Sequence, residues 1–172
     1  MIKFFVSLGI IALLFSACTN PVKGKNGVTF RTAIEYNDYI VEKQDTVIKL
    51  IDKFEMVADT STNELNAFLA DATLSVEKMI IDVKGMPEWK GNTEMRDKGV
   101  RMLEYYKSIF AVSYKRLIEI TADGEISQAE EKDKEDVIKK MTVDGTLAED
   151  AFFAAQKEFA TKNNVRLENK AL

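Results

Sequence analysis

The stretch AIEYNDYIVEKQDTVIKLIDKFEMVA, residues Ala33 to Ala58, decides the fold. Ala33, Asn37, Ile40, Gln44, Val47, Ile51, Phe54 and Ala58 follow one another at alternating steps of four and three. That spacing keeps one face of an α-helix turned toward partner helices. Glu35, Asp38, Glu42 and Asp45 form a second row roughly opposite the seam, which reads as a solvated face. The chain after this stretch repeats the pattern. Ser61 and Glu64 have the spacing of a capping box, and Leu65, Leu69, Ala72, Val76, Met79 and Val83 make the second seam. Lys84-Gly85-Met86-Pro87 ends that helix, because proline cannot continue it. A third helix begins at Asn92 or Thr93 and carries Gly99, Leu103, Tyr106, Phe110, Ser113, Leu117 and Ile120.

The remaining residues are less regular. Ser127 and Glu130 form another capping box, followed by nine charges in the thirteen residues from Gln128 to Lys140. Ala129, Val137, Ile138 and Met141 are the apolar positions there, which places the segment at the edge of the molecule. Asp144-Gly145 reads as an interruption. Thr146 and Glu149 read as a restart, with Leu147, Ala151, Phe152, Ala155 and Phe159 on an apolar face. The expectation is an all-α, up-down-up-down four-helix bundle with a broken fourth helix, spanning residues 29–172. Val47, Ile51, Leu69, Val76, Leu103, Phe110 and Phe152 should be buried.

The N-terminus has a different character. Met1-Ile-Lys3 is basic, Phe4 to Phe15 is a short apolar run, and Ser16-Ala17 precede Cys18, the only cysteine. A membrane span needs roughly 20 apolar residues, more than this run offers. The arrangement instead fits a secretory signal over residues 1–17, removed on export. Phe-Ser-Ala-Cys resembles the lipobox of bacterial lipoproteins, with phenylalanine where leucine is usual. That resemblance implies diacylglyceryl transfer to Cys18, palmitate on the mature N-terminus and a membrane anchor. Each buried methylene of an acyl chain contributes about 0.8 kcal/mol, so two or three chains hold a protein on a membrane. Residues 18–28, CTNPVKGKNGV, read as a flexible tether, whose coil dimensions would reach about 17 Å.

Removing the first 17 of 172 residues leaves 155, enough for one domain with its own core. Lys3 is the one charge removed, so 24 basic residues become 23 against 28 acidic ones. The negative balance argues against nucleic acid as partner. No disulfide is available. The absence of histidine removes the commonest general base and most zinc chemistry, so no catalytic residue, enzyme activity or cofactor is expected.

Three places could nonetheless bind something. Asn37 and Gln44 lie one heptad apart in the first seam, as ligand contacts or as polar residues that fix helix register, the latter being the favoured reading. Trp89 lies in the loop between helices two and three, either as a stacking platform or, preferably, as a plug over the end of the bundle. Glu119 to Glu130 partly fits a calcium loop, with Asp123, Gly124 at its sixth position and Glu130 at its twelfth. Glu119 is too long for the first position and Thr121 is a poor third ligand, so no metal site is expected.

Glu35-Tyr-Asn-Asp-Tyr-Ile-Val41 with Gln44, then Pro87-Glu-Trp-Lys-Gly-Asn92, Met95-Arg-Asp97 and Leu103-x-Tyr105-Tyr106, recur in an order and spacing that carry a second resemblance. Across residues 30–120 the chain resembles a group of exported, helical bacterial surface-type lipoproteins of unassigned function. The resemblance implies a lipid-anchored α-bundle and brings no catalytic residues. The expected role is a non-enzymatic module that binds a protein or another envelope component. The alternative is a small-ligand or weak metal-ion binder, with its site between helices or at the Asp123 loop. No aspartate follows Cys18, and by resemblance to the enterobacterial sorting rule this points to the outer membrane. The tether lacks the acidic cluster that marks surface export elsewhere. The bundle should therefore face the periplasm, with the cell surface as the alternative.

Overall fold

The computed structural model describes residues 20–58, 60–122 and 124–167. Cys18 and the expected signal segment lie outside the described residues. The chain is an all-α bundle with a two-stranded hairpin at one end. Strands β1 (Val22–Lys23) and β2 (Thr29–Phe30) precede helices α1 (Ala33–Met56), α2 (Thr62–Lys84) and α3 (Glu94–Ser108). A π-helical turn at Ile109–Ser113 then runs into α4 (Tyr114–Thr121), and α5 (Gln128–Lys162) completes the fold. Neighbouring rods are antiparallel: Lys43 pairs with Asp82 and Phe54 meets Phe68, so the start of α1 lies by the end of α2. Tyr106 on α3 likewise bonds Glu149, while Asn37 on α1 bonds Gln156 on α5.

Caps set the helix starts as their sequences imply. The Thr32 hydroxyl accepts from the Glu35 N–H at 3.1 Å. Ser61 with Glu64, and Ser127 with Glu130, form complete reciprocal capping boxes. Val47, Ile51, Leu69, Val76, Leu103, Phe110 and Phe152 are all buried.

Three expectations need correction. The fourth helix is not broken: α5 continues through Asp144-Gly145 for 35 residues. Its seam runs Met141, Gly145, Phe152, Gln156, Phe159, all buried, and Leu147 is 65 % exposed instead of facing the core. Gly145 is there for space. A Cβ at this position would come within 2.6 Å of the Tyr105 hydroxyl oxygen.

The third rod is the irregular one. The Tyr114 N–H reaches back five residues to the Ile109 carbonyl, which inserts an extra residue into the turn. Beyond it the core positions are Tyr114 and Ile118, both buried, whereas Ser113 and Leu117 are half-buried. The insertion rotates the seam by one residue and lets Tyr114 stack on Phe54 at 4.3 Å.

Residues 22–28 are not a flexible tether. Val22 pairs with Phe30 and Lys23 with Thr29. The Asn26 side chain donates to the Asp82 carbonyl at 2.9 Å and its N–H donates to the Gly85 carbonyl at 3.2 Å. Gly24 and Gly85 have ordinary roles in neither a linker nor a left-handed cap. Gly85 has φ −78°, and a Cβ there would sit 2.8 Å from the Asn26 Cβ. A Cβ on Gly24 would lie 2.6 Å from the Gly85 carbonyl oxygen. The two glycines allow the hairpin to press onto the end of α2, and Phe30 buries against Tyr36 and Tyr39.

Candidate functional site

Asn37 and Gln44 are buried in the seam of α1, and neither faces an unfilled bond. The Gln156 Nε2 donates to the Asn37 Oδ1 at 2.9 Å, and the Asn37 amide donates to Asp38 at 2.9 Å. Gln44 hydrogen-bonds the Tyr106 hydroxyl, which donates to Glu149 Oε1 at 2.6 Å. Among the described residues no buried side-chain polar atom lacks a partner. Two polar layers thus tie α1 to α5 and α1 to α3 and α5. Each can fix register, because sliding a helix by one residue would orphan an amide or carboxylate in the core.

Glu149 is the acid of the second layer. Desolvation raises its pKa, the Tyr106 bond opposes that rise, and the nearby Asp150 adds to it. The burial that raises Glu149 also raises Tyr106, and the adjacent carboxylate reinforces the effect.

Trp89 is buried over the end of the bundle, beside Tyr36 and Phe159, and its indole N–H donates to Asn163 Oδ1 at 2.9 Å. Trp89 and Asn92 exchange backbone hydrogen bonds of 3.0 Å around Lys90 and Gly91, which both have positive φ. Two such central residues make a tight reverse turn. The Tyr36 hydroxyl closes the same end by donating to the Pro87 carbonyl at 3.0 Å. No indole face is left open for stacking.

The residues of the calcium-like loop are engaged otherwise. Glu130 accepts from the Ser127 N–H at 2.9 Å and from its hydroxyl at 2.6 Å, and Glu119 accepts from Arg116 at 3.3 Å. Asp123 lies outside the described residues. Among the described residues no three Asp, Glu, Cys or His side chains are grouped as metal ligands, and no helix is long and apolar enough to cross a membrane.

Among the described residues an open groove lies between α2 and the π turn, beside smaller ones along α5 at Phe153 and Lys157 and at Arg101 and Leu147, and the seam patterns did not show it. Along the α2–α3 boundary, Lys84 pairs with Glu104 at 2.7 Å, and Glu77 pairs with Lys107 at 2.9 Å. One heptad beyond Glu77 stands Ala70, and Ala111 faces the same space from the π turn. Two small side chains replace the next ion pair. A groove of about 610 Å³ opens there, lined by Leu69, Leu74 and Phe110 as well, with Lys115 and Thr73 at its edge. Leu74 is 64 % exposed, as is Val112, the residue after Ala111. The sequence signal was available in part, since Leu74 and Ile81 lie one heptad apart outside the α2 seam. The π turn that shapes the opposite wall carries no composition signature.

No protein family matches the chain, and no curated protein or solved structure matches it.

Proposed function

We propose that this chain is a lipid-anchored envelope protein whose bundle acts as a non-enzymatic binding module, holding a protein or another envelope component in the groove between α2 and the π turn. The observation that carries the reading is the groove itself. Its lining is mostly apolar, with the buried Leu69 and Phe110 and the exposed Leu74 among the residues that form it. Exposed apolar surface of this kind is costly to keep in water unless it is covered in use. π turns recur at functional positions, because they store an irregularity that a plain α-helix would not need. The polar seam residues that would line a small-ligand cavity are instead bonded to one another, so the groove is the better candidate. The anchor is Cys18, and the proposed setting is the periplasmic face of the outer membrane.

The anchor and the groove are tested separately. Labelled palmitate should enter the wild-type protein and not Cys18→Ala; equal labelling of both rejects the anchor. A photo-crosslinking residue at position 70 or 111 should give a discrete adduct in intact cells. The same residue at Lys139, exposed on α5, should not, and Leu74→Glu should abolish the adduct at 111. Adducts of equal yield at all three positions would reject the groove.

A further inference from the structure

The hairpin carries an inference about how the molecule stands on its membrane. Asn20 is the first described residue, two positions from Cys18. Two extended residues span about 7 Å. A coil of ten residues would allow the bundle to tumble at the end of its tether, but residues 22–30 are bonded to one another and to α2. The Gly24 N–H donates to the Val28 carbonyl at 2.9 Å, the Val28 N–H to Asn26 Oδ1 at 3.0 Å, and Asn26 grips α2 through Asp82 and Gly85. Phe30 is 1 % exposed beneath this knot. A lipid on Cys18 would therefore be joined close to one end of the bundle, where α1 begins, α2 ends and Trp89 closes the core.

Lysines stand at the same end. Lys23 and Lys25 are exposed on the hairpin and Lys90 is exposed on the adjacent turn, next to Glu88. Glu35, Glu94 and Asp97 are also exposed at this end, and at the far end Glu55, Glu125 and Glu131 are exposed together with Lys53, Arg116 and Lys132. Anionic headgroups attract Lys23, Lys25 and Lys90, the charges that stand on the hairpin and the adjacent turn, each nearby lysine contributing about 1 kcal/mol within a Debye length.

We propose that the docked hairpin holds the bundle upright on the bilayer, with the end that carries Lys25, Lys90 and Trp89 against the headgroups and the α1–α2 turn pointing away. This rests on Cys18 being the anchor. The partner of that end is the lipid surface itself. α1 has 24 residues, so at 1.5 Å per residue the far turn stands about 36 Å further out.

The test uses the anchored protein purified from its envelope and reconstituted into vesicles of phosphatidylcholine and phosphatidylglycerol. A fluorophore is attached at Glu88→Cys or at Thr60→Cys, both exposed positions, and headgroup nitroxide lipid serves as a short-range quencher. Strong quenching at position 88 and none above background at position 60 is the expected result. Adding Asn26→Ala, which removes the side-chain grip on α2, should reduce the contrast between the two positions. Palmitate incorporation is read on the same preparations. Labelled protein with equal quenching at both positions, or stronger quenching at 60, overturns the orientation and leaves the anchor standing. Protein without palmitate overturns the anchor and the orientation with it.

Discussion

Replacing Gly145 by alanine isolates the close contact between α5 and Tyr105 of α3. In an ordinary helix interior the change would stabilise by about 0.8–1.0 kcal/mol, because alanine loses less backbone freedom than glycine. Here the new Cβ would lie 2.6 Å from the Tyr105 hydroxyl oxygen and 3.0 Å from its Cζ. The ring has to turn away, which strains the α3–α5 packing by about 1–3 kcal/mol. It also breaks the bond that the Tyr105 hydroxyl donates to the Met141 carbonyl at 2.8 Å, a loss of about 1 kcal/mol. The balance is a destabilisation of about 1–3 kcal/mol by these same terms. Tyr105→Phe alone should cost about 1 kcal/mol through the lost bond. In that background the nearest obstacle is the ring carbon, which needs to give only slightly, so Gly145→Ala should then be close to neutral. The four proteins form a double-mutant cycle, read by urea unfolding followed by far-ultraviolet circular dichroism, with a coupling of at least about 1 kcal/mol expected. Equal costs of Gly145→Ala in both backgrounds would refute the packing argument. A gain of about 1 kcal/mol in the wild-type background would show that the Tyr105 ring is not there at all.

Glu149→Gln should remove a pH dependence of stability. The folded protein holds the Glu149 proton more tightly than the unfolded chain, so stability falls as pH rises above the ordinary carboxylate range of about 4.5. Glutamine can still accept from Tyr106, so the variant should be more stable than wild type at neutral pH, with a flatter profile; parallel profiles would contradict this. Asn37→Ala should cost about 1–3 kcal/mol, because it strands the Gln156 amide in the core. Combining it with Gln156→Leu should cost less than the two single changes together, and strict additivity would mean that the amides do not pair. Calcium should bind no more tightly than about millimolar, the weak end for such loops, since Glu130 is held by Ser127; calorimetry showing micromolar affinity that Glu130→Gln abolishes would reverse this.

Local and periodic information was legible in the sequence, and irregularities produced by tertiary packing were not. The 4-3 spacing of α1 and α2 and both capping boxes are short-range features, and the structure keeps them, except that the α1 seam stops at Phe54 and Ala58 is exposed beyond the helix end. Asp144-Gly145 has the composition of a turn, yet the residue serves as a recess for an aromatic ring one helix away. Gly24 and Gly85 look like linker and cap residues for the same reason: glycine marks close approach of two backbones as readily as it marks a bend. The π turn moved the α4 seam from Ser113 and Leu117 to Tyr114 and Ile118, and nothing in five residues reading Ile-Phe-Ala-Val-Ser announces it. Asn37 and Gln44 were found because they sit where apolar residues belong. Their partners Gln156, Tyr106 and Glu149 were missed, because the assumed break at Gly145 disrupted the seam on which Gln156 and Glu149 lie.

The hairpin and the groove together restrict what the proposed partner can be. α2 ends at Lys84, on the side that the proposed orientation places against lipid, and the groove runs along α2 from Leu74 to Asn66. Counting ten to eighteen residues back from Lys84 at 1.5 Å each places it about 15–27 Å above that end. An acyl chain held in the bilayer does not reach so far, which leaves a protein segment or a polymer of the envelope as the occupant. The walls favour the protein. Ala70 and Ala111 provide room for a backbone to approach closely, Leu74 and Phe110 offer contacts to apolar side chains, and Lys115 stands at the edge to meet a carboxylate. An amphipathic helix laid across α2 and the π turn satisfies all three requirements at once.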